Sequence, residues 1–115
     1  MKPIYYLSYN GFYEDYRKLF HVMDLQNEYL ASSDNSNLRL CVLFQNTSVT
    51  GEVLDKFIRS IIQIPYPVKQ MAIVGLSLNV QALFLLKIKL NNIKLPPYQF
   101  FSSNKDALHY LEETA

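Results

Sequence analysis

Residues 38–51 read Leu-Arg-Leu-Cys-Val-Leu-Phe-Gln-Asn-Thr-Ser-Val-Thr-Gly, and this stretch decides the fold. Residues 38–44 are almost entirely apolar, and the chain then turns abruptly polar at Gln45, Asn46, Thr47 and Ser48. A run so short, containing Val and Phe and bounded by turn residues, predicts a strand buried on both faces. Residues 50–63 follow as a two-sided helix. Val53, Leu54, Phe57, Ile58, Ile61 and Ile62 share one side; Glu52, Asp55, Lys56, Arg59 and Gln63 share the other. That is the pattern of a helix packed on a sheet. Buried strand, polar turn and helix together form the unit of parallel α/β sheets, whose ligands tend to sit beside such turns.

Working toward the N-terminus, residues 4–7 (IYYL) suit a first strand, with Pro3 just before it. The turn signal 8–11 (SYNG) leads into a predicted helix over 12–30, with Glu14 and Asp15 in its first turn. Its apolar side holds Phe12, Tyr16, Leu19, Phe20, Met23 and Leu30, with a thinner stripe of Val22, Leu25 and Tyr29. A polar loop, 31–37, returns the chain to the central strand. Toward the C-terminus, Pro65 and Pro67 stop the second helix. Residues 71–75 (MAIVG) form a third, central strand, and Ser77 or Asn79 caps a helix running to about residue 92. Residues 98–101 form the fourth strand, and Ser103 opens a capping box for a short last helix. The predicted fold is α/β, in the order β-α-β-α-β-α-β-α. It is a four-stranded, mainly parallel sheet covered by helices.

At 115 residues the chain makes a single domain, 1–115. Hydrophobic residues at 50% and charged ones at 18% describe a well-buried globular protein. The net charge of +1 gives no field to attract nucleic acid or anionic lipid. The nine tyrosines stand among acidic as well as basic neighbours, so they read as core and rim packing. The single cysteine, Cys41, lies mid-strand and reads as core. No apolar run is long enough for a membrane span, and the first residues lack a signal pattern, so a cytoplasmic location is expected.

The motifs that would carry catalysis are missing. The sequence has no GxGxxG, GxxxxGK[ST], CxxC or GxSxG. His21, between Arg17 and Asp24, and His109, between Asp106 and Glu113, read as surface residues with helical charge partners. No metal, cofactor or enzymatic activity is expected.

Two features point to partners. The third helix is apolar nearly all round: Ala82, Leu83, Leu86, Leu90 and Ile93 form one side, Val80, Phe84 and Ile88 another. A second apolar stripe either wedges the helix between the sheet and the last helix or makes contact with another chain, and for the latter Val80, Phe84 and Ile88 are the candidate homodimer face. The polar turns 8–11, 46–50, 75–79 and 102–104 each precede a helix at the same edge of the sheet. Plain helix capping accounts for most of their hydroxyls. The second turn offers three, on Thr47, Ser48 and Thr50, where one cap would suffice.

The chain also resembles a known family. The buried strand running into Asn46-Thr47-Ser48-Val49-Thr50-Gly51, the strand Val68-Lys69-Gln70-Met71-Ala72-Ile73-Val74-Gly75, the aromatic strand at 98–101 and the closing Asp106-Ala107-Leu108-His109-Tyr110-Leu111 carry the likeness. Together they resemble the STAS-domain superfamily, particularly its stand-alone, anti-sigma-factor-antagonist-like bacterial members. The resemblance implies a non-enzymatic regulatory domain that docks on a protein partner and is switched by phosphorylation where the central helix begins. On this chain that position falls around Ser48, with Asn46, Thr47 and Thr50 as neighbours. Asn46-Thr47-Ser48 stands in place of the family's Asp-Ser-Ser-Gly. The alternative expectation is a small-ligand or lipid-binding module using the same turns, with Tyr9, Tyr13, Ser77 and Asn79 as its pocket.

Overall fold

A computed structural model describes residues 4–32 and 38–113, the side chain of Glu113 excepted. Pro3, most of the polar loop before the central strand and the Glu113 partner expected for His109 lie outside the described residues. Four strands, β1 (Ile4–Ser8), β2 (Leu38–Leu43), β3 (Val68–Val74) and β4 (Tyr98–Phe101), alternate with four helices. These are α1 (Tyr16–Ser32), α2 (Gly51–Ile62), α3 (Leu78–Leu90) and α4 (Asn104–Glu113). The α/β class and the element order are those predicted.

The strands pair in the order β1-β2-β3-β4, every pair parallel. Each crossover therefore steps one strand in the same direction. Right-handed connections then place α1, α2 and α3 on one face of the sheet and leave the other to α4. The two packed cores follow that division. Leu7, Leu40, Val42, Met71 and Ile73 meet the apolar sides of α1, α2 and α3. Alternating with them, Cys41, Leu43, Ala72 and Val74 meet Ala107 and Leu111 of α4. Every residue of β2 is buried, because it has a strand on each side and helices on both faces.

The first helix starts later than its periodicity indicates, at Tyr16 rather than residue 12. Tyr13 adopts a left-handed backbone, φ 49°, and bridges to Thr47, so residues 9–15 form a loop lashed to the next turn. Asp15 sits just before the helix and accepts from the Lys18 amide at 3.2 Å, a capping role rather than a first-turn one.

Arg39 is a feature that the apolar reading of β2 passes over. It is fully buried, and its Nε donates to Gln70 Oε1 at 3.1 Å. By alternation it shares the α4 face with Cys41 and Leu43.

Candidate functional site

The turn after β2 is built by the turn after β1. The Gly11 amide donates to Gln45 O at 2.9 Å and the Gln45 amide donates to Asn10 Oδ1 at 2.8 Å. Tyr13 N–H donates to Asn46 O at 2.9 Å, and Ser48 N–H to Tyr13 O at 2.7 Å. Asn46 makes the corner with a left-handed φ of 57°, a conformation Asn tolerates better than most residues. Gly75, from the turn after β3, closes the third side. At φ 94° a Cβ there would stand 2.9 Å from the Gln45 backbone nitrogen. Only glycine lets these two turns approach so closely.

The three hydroxyls of the turn have different fates. Thr47 Oγ1 accepts from Phe12 N–H at 3.1 Å and donates to Tyr9 O, so it fastens the two turns together. Thr50 is the cap of α2, its Oγ1 accepting from Val53 N–H at 3.3 Å. Ser48 lies between them, exposed, and its hydroxyl has no hydrogen-bond partner among the described residues. Its backbone is nevertheless held in place through Tyr13. Thr47 and Thr50 serve the fold, and Ser48 presents its hydroxyl to solvent.

An open cleft of about 500 Å³ lies at this corner, lined by Tyr13, Glu14 and Phe44, by Asn46, Thr47 and Ser48, and by Gly75. Of the four residues expected to form a pocket, Tyr13 alone lines it. It is 65% exposed at the rim. Tyr9 is instead buried, in tilted contact with Phe44 and edge-on to Phe57. That burial pushes its hydroxyl well above its ordinary pKa. Ser77 caps α3 by accepting from Val80 N–H at 3.3 Å, and Asn79 lies exposed in that helix's first turn. The structure therefore does not gather Tyr9, Tyr13, Ser77 and Asn79 into one cleft. Tyr9 belongs to the core because the β1 alternation of Tyr5, Leu7 and Tyr9 points toward the three helices.

The expected dimer face is also corrected. Phe84 is fully buried, its ring 6.3 Å from Phe57, 5.4 Å from Tyr98 and 5.5 Å from Phe100. Val80 and Ile88, one turn before and after, are half-buried against the same core. This stripe faces the sheet, and the opposite one faces outward. Leu78, Leu85, Leu86 and Leu90 are 81%, 49%, 51% and 74% exposed.

Burial on the other face raises the Cys41 thiol to about 11, which keeps it protonated and unreactive at neutral pH. Among the described residues no three His, Cys, Asp or Glu side chains converge as a metal site would require. No helix among them is long and apolar enough to cross a membrane.

Compared with family models, with curated proteins and with solved structures, the chain has no match in any of the three.

Proposed function

We propose that this is a STAS-like regulatory domain that works in the cytoplasm by binding a protein partner, with Ser48 as its phosphorylation switch. One observation carries the reading: Ser48 bears the hydroxyl of the 46–50 turn that the fold leaves unused, on a backbone fixed in place by Tyr13. A phosphoryl group on Ser48 brings a charge of about −1.5 to −2 to the start of α2, where the helix dipole favours an anion. No buried contact is lost, so the charge acts outward, on whatever docks there. The resemblance to the anti-sigma-factor antagonists supports the same assignment from sequence.

Intact-mass analysis of the chain from its native host tests this. The expected result is a species heavier by one phosphoryl group, mapped to Ser48 and absent from Ser48→Ala. A phosphoryl group mapped to Thr47 or Thr50, or none under any growth condition, removes the switch.

A second reading, a small-ligand module, draws on the cleft beside Ser48, whose volume of about 500 Å³ falls within the range of ligand pockets. Native mass spectrometry separates the two, because a retained small molecule lost in Tyr13→Ala favours the pocket.

A further inference from the structure

Among the described residues, five of the ten large hydrophobic side chains left exposed lie on α3. Leu78, Ala82, Leu86 and Leu90 follow one another at every fourth position and form a single ridge, with Leu85 beside it. Four of these are leucines exposed by between 49% and 81%. They add up to a patch on the order of a few hundred Å², the size of the largest apolar patch on a typical monomer, which is often functional. Ala82 notches the ridge near its middle, as in a helix that receives the ridge of another helix.

The charge that α3 itself carries has one sign, Lys87 and Lys89. From Lys56 to Lys105 the sequence contains no acidic residue. On α3 itself Lys87 is tied to Asp55 of α2 at 2.8 Å, which neutralises it. Lys89, within the exposed face, and Lys94, just beyond the end of the helix, are exposed. A second copy of α3 packed on the first would bring leucines but no anion to either lysine. The other edge helix, α1, sets exposed charges of both signs, Arg17, Lys18 and Glu28, beside its exposed Leu25 and Tyr29, so the single sign of charge is particular to α3.

We propose that the outer face of α3 is the docking site for an acidic amphipathic helix of a partner protein. Its apolar side packs on the Leu78–Leu90 ridge and its carboxylates meet Lys89 and Lys94. The site adjoins the Ser48 turn: a Cβ on Gly51, the first residue of α2, would stand within 4 Å of Leu83 and Lys87, which reach across from α3. The proposal rests on the reading of the domain as a protein-binding module and is independent of its switch.

Titration of the full chain with a fluorescent stapled peptide of about four turns tests it, the peptide having leucines on one side and glutamates flanking them. A counterpart with lysine for each glutamate is the control. The acidic peptide is expected to bind at least about tenfold more tightly than the basic one, with affinity falling as salt rises. Leu86→Glu and Lys89→Glu, both at exposed positions, are each expected to weaken it by about tenfold without altering the thermal transition. Equal binding of the two peptides, no binding of the acidic one, or binding that both variants leave unchanged overturns the proposal. Co-sedimentation with anionic phospholipid vesicles, lost in Leu86→Glu while the peptide fails to bind, reassigns the face to a lipid surface. Concentration-dependent self-association abolished by Leu86→Glu reassigns it to a second copy. Ser48→Asp separates the two proposals: if it leaves peptide binding intact, the α3 site stands and the switch loses its route through this face.

Discussion

Helices α2 and α3 lie side by side on one face of the sheet, and each opens on a hydroxyl cap, Thr50 and Ser77. They bury very different shares of their apolar side chains. α2 buries Val53, Leu54, Phe57, Ile58 and Ile61 and sets charged residues against water. α3 buries Phe84 alone and leaves five leucines exposed. Position in the layer accounts for the difference. α2 is the middle helix, flanked by α1 and α3 and centred over the sheet. α3 is the outermost, over the four-residue edge strand β4, and has no neighbouring helix on its far side among the described residues. An apolar residue is buried only where the fold supplies a surface to bury it against, and α3 carries more apolar surface than its own domain covers.

The sharpest way to break this comparison is to exchange the two sides of α3. Phe84→Lys places a cation among Phe57, Tyr98 and Phe100, at a cost of about 5 kcal/mol, comparable to the whole stability of a small domain. The expected outcome in urea denaturation and far-UV circular dichroism is an unfolded chain, not a smaller folded particle. A folded Phe84→Lys would mean that the inward and outward stripes are assigned the wrong way round.

Gly75→Ala comes next. It forces a left-handed backbone on an L residue and pushes Cβ against the Gln45 amide, where the turn leading to α3 crosses the turn leading to α2. A loss of about 2–3 kcal/mol is expected from the midpoint of chemical denaturation.

Removing the caps tests what the two helices share. Thr50→Ala and Ser77→Ala each leave one helix amide without its side-chain acceptor, and each is expected to cost about 1 kcal/mol. A much larger loss for Thr50 alone would show that its turn does more for the fold than end a helix. The smallest effect belongs to the outer ridge. Leu86→Glu and Leu90→Glu are expected to shift stability by no more than about 0.5 kcal/mol, because neither residue packs on the sheet. A loss comparable to that of a core leucine would show that α3 turns its other side inward.

Residues 50–63 illustrate how much could be read in advance. One apolar stripe and one charged stripe leave a single way to place α2, and the structure adopts it except at the last residue, Ile62, which is 53% exposed. In α3 two apolar stripes satisfy the same rule equally well, and the sequence offers no ground for preferring Val80, Phe84 and Ile88 as the inner one. Tyr9 raises a similar difficulty. A tyrosine in a polar turn suits a pocket rim as well as a core, and it is buried here because Phe44 and Phe57 arrive from distant parts of the chain. Arg39 left a legible signal, a charge inside an apolar run. Its Gln70 partner is a strand away, and pairing of β2 with β3 brings the two together.

The stretch from Leu38 to Gly51 divides along the same line. By itself the sequence determined a buried strand, a turn and a helix, since hydrophobic period and capping chemistry act between residues a few positions apart. It determined the alternation of strands and helices for the same reason. Tertiary structure alone decided the strand order, the placing of three helices on one face, the inner side of α3 and the fate of each hydroxyl in the turn. Thr47 is occupied because Phe12 and Tyr9, 35 and 38 residues away, come to meet it. The Ser48 hydroxyl is exposed because no group among the described residues comes to meet it. Such contacts are set by which strands neighbour one another, a choice that no local periodicity records.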